Sequence, residues 1–389
     1  MKKNAVNLIF VLCALLFLLA SLGKAMLRPK EMNYYENRYA ERIPPFSLSA
    51  WLDGSFQDGT EAGLDDQVPG AHKLKKLYHS TFSLYQKLLA LPLAERLPGR
   101  YVNLGEMRRF GQHLCYYAAD RSVDQAQFDR KIENYNAVFA AEPDTEFYLY
   151  YVEKDTDFDF EAGEKPAQVY EYLRDHLDLP PENTGCFRVS GYEDYSSRYY
   201  RTDHHWNHVG SYQGYLEMLS LLAPEETPLV PLEERYVGTF SGSKASGREL
   251  VTFSEPFYAY RFDFPEMTVE QDGAPSADYG QQDAFFAGEA WGLNYGEFYG
   301  GDAALAVLRT AGNEDRENLL LIGDSFDNAV LKLLASHFNT TYAVDLRYYS
   351  TCFEEDFRLG EFLEAHDIGK VLISGNRSFY NLDDFLLED

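Results

Sequence analysis

The strongest constraint on the fold lies in the C-terminal third, where short apolar runs alternate with amphipathic helical ones. Residues 318–323 (NLLLIG) form a compact apolar run, and 327–338 places Val330, Leu333, Leu334 and Phe338 on one helical face. A second apolar run at 341–346, a helix at 353–366 and a third run at 370–374 complete the pattern. Strands alternating with helices predict an α/β domain whose parallel sheet is covered by helices on both faces. In such sheets the functional site lies beyond the carboxyl ends of the strands. Upstream, 145–152 and 185–189 predict further strands. Helices are predicted at 125–141, stopped by Pro143, and at 167–177.

The other segments carry weaker patterns. Residues 73–91 hold Leu74, Leu77, Tyr78, Phe82, Tyr85 and Leu88 at helical spacing, with Pro92 as a stop. Residues 225–312 are rich in Gly, aromatic and acidic side chains and lack long helical periodicity, which predicts a β-rich or loop-rich insertion. The chain starts Met1-Lys2-Lys3 and is then apolar over 5–22, except for Asn7 and Ser21. At about 1.5 Å per residue that run spans about 27 Å, enough for a thin bilayer. It is expected to be a signal anchor, or a signal peptide cleaved near Ser21-Leu22-Gly23. Lys24, Arg28 and Lys30 on the far side blur the charge rule, but the bulk of the chain is expected outside the cell.

Composition excludes some functions. With 35 basic against 62 acidic residues the net charge is −27, which would repel phosphate backbones, so general nucleic-acid binding is not expected. Beyond the apolar start, Cys115, Cys186 and Cys352 are far apart and form no CxxC pair, which fits neither a zinc ribbon nor a disulfide scaffold. One disulfide with a free thiol, or three buried thiols, are the readings left. The 30 Tyr and 27 Phe against 3 Trp suit carbohydrate contact, but Tyr is also an ordinary half-buried strand residue.

Two segments carry chemistry. Gly323-Asp324-Ser325-Phe326 follows an apolar strand and opens a helix, so the Ser325 hydroxyl lies at the strand's carboxyl end. Backbone N–H groups there can hold an oxyanion. The same tetrapeptide is also good helix-capping chemistry. Thr202-Asp203-His204-His205-Trp206-Asn207-His208 offers a base and its orienting carboxylate, with Asp203 and His205 two apart on a non-helical turn. A metal site is the rival reading, because His204 and His208 are four apart and His205 and His208 three apart; no HExxH pattern is present. A structural histidine turn is the third. Ser325, His205 and Asp203 together supply the three roles acyl transfer needs, but only the fold can unite them.

These residues resemble the DHHW protein family of bacterial envelope proteins, itself similar to the SGNH-hydrolase-like O-acetyltransferases of exopolysaccharides (the AlgX/AlgJ type). The likeness rests on Tyr199-Tyr200-Arg201-Thr202-Asp203-His204-His205-Trp206, followed by Gly210 and Tyr215, and on Leu321-Ile322-Gly323-Asp324-Ser325-Phe326. Asp345-Leu346-Arg347-Tyr348-Tyr349 also fits. Glu36-Asn37-Arg38 and Asp66-Gln67-Val68-Pro69-Gly70 fit loosely, with Gly70-Ala71 where an Arg is expected. The resemblance implies an SGNH-like, flavodoxin-like domain over 101–389, its insertion at about 225–312, preceded by a helical lead-in at 24–100 and the anchor or signal at 1–23. It also implies O-acetyl transfer or ester hydrolysis on an envelope polysaccharide. Ser325 would be the nucleophile, His205 the base and Asp203 its orienter. Gly301, Asn376 and Arg347 are the candidates for oxyanion or substrate contact. No cofactor or metal is implied. The implied partners are the glycan, an acetyl donor and a multispanning acetyl-transfer protein. A non-catalytic export scaffold and a metal-dependent hydrolase using His204, His205 and His208 are the alternatives.

Overall fold

The computed structural model describes residues 96–387 apart from 105–106, 119–123, 247–252, 277–278, 281 and 289–291, together with 38–68 and isolated positions at 11–33 and 73–88. The chain forms two compact units, Met1–Leu88 with Ala245–Phe253, and Leu89–Lys244 with Ser254–Asp389. The apolar run at 5–22 and the helix expected at 73–91 fall mostly outside the described residues. Among the described residues no helix is long and apolar enough to cross a membrane, so an N-terminal anchor gains no support. In the first unit two helices, Leu48–Asp53 and Ser55–Gln67, meet at Gly54, whose φ of +92° is a turn that glycine adopts without strain.

The second unit is built on one eight-stranded sheet. Its strands are β1 (Glu146–Val152), β2 (Thr184–Phe187), β3 (Met267–Gln271), β4 (Ala274–Pro275), β5 (Leu305–Thr310), β6 (Asn318–Ile322), β7 (Thr340–Val344) and β8 (Ile368–Gly375). Their order across the sheet is β4-β3-β5-β7-β6-β8-β1-β2. The five strands from β7 to β2 are parallel, as the alternating pattern predicts. β5, β3 and β4 extend the β7 edge antiparallel, so the sheet is mixed rather than wholly parallel. Local periodicity reports that a strand exists, not which way its partner runs, and these three lie in the Gly- and aromatic-rich stretch whose composition masks strand signals. That stretch also forms a separate hairpin, Glu233–Phe240 paired with Glu255–Arg261.

Side chains leave the sheet alternately, which separates two cores. On one face lie Tyr148, Tyr150 and Val152 of β1 with Leu319 and Leu321 of β6, under helices α3 (His208–Leu222) and α4 (Asn328–Ala335). On the other lie Phe147, Leu149 and Tyr151 with Leu320 and Ile322, under α1 (Gln125–Ala141), α2 (Val169–His176) and α5 (Leu359–His366). Each fully buried Leu, Val or Phe contributes about 1.5–3 kcal/mol. The helix expected at 353–366 starts only at Leu359, because the helix before it, Leu346–Phe353, runs to Phe353 and is ended by Glu354 in the left-handed conformation (φ +58°). Cys115, Cys186 and Cys352 are all free, with Cys115 buried and Cys352 exposed, so neither cysteine reading holds.

Candidate active site

The ladder of β6 continues one step past its end, where the Gly323 N–H donates to the Val344 carbonyl at 3.1 Å. The chain then turns. Asp324 Oδ1 accepts from the Phe326 N–H at 3.0 Å, and Asp324 Oδ2 accepts from Asn376 Nδ2 at 3.1 Å. Asp324 therefore supplies the turn chemistry, and the hydroxyl of the half-buried Ser325 is not used to cap α4. Gly323 is required by close approach, since a Cβ there would lie 1.6 Å from Asp327 Oδ2. Asp327 is buried, and its other oxygen accepts from Ser374 Oγ at 2.7 Å.

The second segment leaves the core as a tight loop. Tyr199 and Trp206 form an antiparallel bridge, and Asn207 caps α3 by accepting from Val209 and Gly210. Glu255 of the neighbouring hairpin fixes the loop, accepting from the Thr202 N–H and hydroxyl at 2.6 and 2.7 Å. Asp203 is thereby held inward. Its Oδ1 accepts from the His205 N–H at 3.0 Å and from His205 Nδ1 at 2.6 Å, and its Oδ2 from the Ser243 N–H at 2.7 Å.

His205 Nε2 lies 2.8 Å from Ser325 Oγ. An ionised carboxylate only accepts, so the proton sits on Nδ1 and Nε2 accepts from the serine hydroxyl. Burial works against the Asp203 charge, but the neighbouring His205 and its hydrogen bond outweigh it and hold the carboxyl far below its usual range. The His205 ring stacks on Tyr295, with centroids 3.7 Å apart and planes at 2°. The Tyr295 hydroxyl and the Trp206 indole both donate to the Phe326 carbonyl at 3.1 Å. The arrangement lets an imidazole take a hydroxyl proton and keep a carboxylate beside the resulting charge.

The structure thus brings together Asp203, His205 and Ser325. Of the remaining candidates, Gly301 takes a left-handed turn (φ +73°) and lines a half-open cleft with Gly323, Asp324, Asp327 and Asp345. Asn376 is buried at the end of β8, donates to Asp324 and caps the next helix by accepting from the Ser378 N–H. Arg347 is engaged elsewhere, its guanidinium donating to both oxygens of Asp345 and lying 3.9 Å from Asp302. The ligand atoms of Asp203, His204 and His205 lie within 4.8 Å of one another, close enough for one cation. Both Asp203 oxygens already receive N–H donors. His208 is not in that group; its Nε2 pairs with Glu234 at 2.6 Å.

Sequence reasoning missed Ser243, Tyr295, Glu255 and Lys154. The first three come from the stretch at 225–312 and carry no local signal. Lys154, just past β1, is only 4% exposed with its Nζ 5.6 Å from the centre of the Phe326 ring. Burial lowers its pKa against the upward pull of Asp155 and Asp324. Ser325, Asn376 and Lys154 thus follow β6, β8 and β1, three neighbours in the sheet.

Residues 186–344, which include both segments, match the family model described as DHHW protein, in agreement with the resemblance in the motifs. No curated protein matches the chain. Among solved structures, Bacillus cereus PatB1 with a sulfonyl adduct is similar with a TM-score of 0.55 and 18% identity, over 75% of this chain and 99% of that chain. A DHHW family protein from Eubacterium siraeum is similar at 0.50 and 18%, over 74% and 98%. At such identities the likeness is one of fold. The O-acetyltransferase domain of Pseudomonas putida AlgJ gives 0.39 and 8%, over 70% and 90%.

Proposed function

We propose that this protein is an extracytoplasmic serine acyltransferase that moves an acetyl group onto a hydroxyl of a cell-envelope polysaccharide, or onto water. The observation that carries this reading is the unbroken line Asp203–His205–Ser325, with contacts of 2.6 and 2.8 Å. The match to the DHHW model across both segments supports it.

In the first half-reaction the Ser325 oxygen attacks the acetyl carbonyl of the donor as its proton passes to His205 Nε2. The imidazolium, facing the Asp203 carboxylate, then protonates the departing oxygen and leaves acetyl-Ser325. In the second, a sugar hydroxyl gives its proton to His205 Nε2 and attacks the ester; collapse returns the proton to Ser325. The Ser325 N–H holds the oxyanion, since the Gly301 N–H is committed to the Gly296 carbonyl at 2.8 Å. Proton transfer by a positioned imidazole supplies about 10²–10⁴ in rate. The acetyl donor is delivered by a multispanning membrane protein, as the family resemblance implies.

The test is mass spectrometry after incubation with a small acetyl ester. An acetyl group on the peptide bearing Ser325, absent from Ser325→Ala, is the expected result. Wild type that never acquires the group points to a non-catalytic scaffold. Turnover that survives Ser325→Ala and is abolished by chelator assigns the chemistry to a cation held by Asp203, His204 and His205.

A further inference from the structure

We propose that His204, through its ring Nε2, grips the acceptor sugar by a hydroxyl adjacent to the one being acetylated, so that the acceptor is a vicinal diol and transfer outruns hydrolysis. This rests on the acyl-transfer reading above.

Every other polar atom of the cluster is committed. Asp203 receives three N–H donors, His205 uses both ring nitrogens, and Ser243 donates its N–H to Asp203. His204 differs. Its Nδ1 is fixed by Ser243 Oγ at 2.5 Å, and its Nε2, on the opposite edge of the ring, has no hydrogen-bond partner among the described residues. The His204 side chain is 27% exposed, while those of Asp203 and His205 are 5%. Its ring lies 3.8 Å from the His205 ring, centre to centre, tilted by 36°.

A second imidazole is therefore presented at the mouth of the site, beside the one that must deprotonate the acceptor. Neighbouring hydroxyls of a pyranose lie about a hydrogen-bond length apart, so a diol can address both rings at once. Whichever of Ser243 Oγ and His204 Nδ1 carries the shared proton, Nε2 keeps the complementary role, and a hydroxyl can answer either. Water has a single oxygen, so it cannot offer one hydroxyl to His204 while a separate one attacks the ester. Pre-positioning of the acceptor is what separates transfer from hydrolysis once acetyl-Ser325 has formed.

The experiment supplies a chromogenic acetyl ester with methyl glucopyranoside as acceptor and measures acetyl glycoside against acetate. His204→Phe, which keeps the stacked ring, is expected to lower the transfer-to-hydrolysis ratio about tenfold or more. His204→Gln, which keeps a polar tip, should recover part of it. A deoxy glycoside retaining only one hydroxyl of the pair should be a poor acceptor for wild type and lose nothing further with His204→Phe. A fall in total turnover with the ratio unchanged means that His204 merely props His205 and overturns the proposal. So does wild type that forms acetyl-Ser325 but never transfers to the diol. Wild type that never forms acetyl-Ser325 sinks the acyl-transfer reading first, and this proposal with it.

Discussion

The indole N–H of Trp206 donates to the carbonyl of Phe326 at 3.1 Å, one residue beyond His205 on one side and one beyond Ser325 on the other. The two segments, 120 positions apart, are therefore joined by two hydrogen bonds, His205 to Ser325 and Trp206 to Phe326. Trp206 is fully buried, and a Cβ at Gly214 would come within 2.5 Å of its ring, so the indole has a single seat.

Trp206→Phe removes the donor and leaves the ring volume partly unfilled. The expected cost is about 1–3 kcal/mol of stability, from the lost hydrogen bond and the void. Hydrolysis of a chromogenic acetyl ester should fall more steeply, about tenfold, because the His205–Ser325 contact loses its brace. Thermal unfolding and steady-state kinetics on one preparation check both; full activity with a lowered Tm would show that the brace is not coupled to the reactive pair.

Asp203→Asn keeps the shape of the loop and withdraws the charge facing the imidazolium. A neutral amide also favours the wrong ring tautomer. Ester turnover is expected to fall about 10³-fold while the fold persists, as read by kcat and by circular dichroism. A loss under tenfold would remove Asp203 from the reaction.

Gly242→Ala tests the floor beneath Asp203. A Cβ at residue 242 would sit 2.4 Å from the Asp203 Cβ and 2.6 Å from its Cα and nitrogen, and backbone cannot step aside as a flexible side chain would. The variant is expected to lose about 2 kcal/mol or more of stability and most of its ester turnover. A Tm equal to wild type would mean that the 203 loop is softer than its hydrogen bonds suggest.

Acid should expose His113. It is buried, with Nδ1 3.0 Å from the Tyr192 hydroxyl. Burial, with Lys244 nearby, lowers its pKa to about 3. The unfolded chain binds the proton near pH 6.5 and the folded chain does not, so stability falls as the pH drops from about 6.5 towards 3 and levels off below. Relative to His113→Gln, wild type should lose about 3 kcal/mol between pH 7 and pH 4, measured by urea unfolding at each pH. Parallel curves for the two proteins would refute the assignment.

The sequence carried what is local and blurred what is not. Residues 318–323 announce a buried strand because an apolar run bounded by Gly has few other uses, and Asp203, His205 and Ser325 stand out as residue types that can share the roles of one reaction. Their approach, with His205 Nε2 2.8 Å from Ser325 Oγ, was legible only by pairing the two segments. Ser243 and Tyr295 were not legible: one contributes a backbone N–H, which any residue owns, with a hydroxyl that nothing nearby in the sequence marks, and the other a ring face, which 30 tyrosines could supply. The antiparallel pairing of β3, β4 and β5 was hidden for a similar reason, being a property of pairs of strands.

The three N–H groups around Asp203 come from the protein itself, so desolvation of that carboxylate is compensated as the chain folds. The Asp203 charge is thereby insulated from whatever docks above the loop.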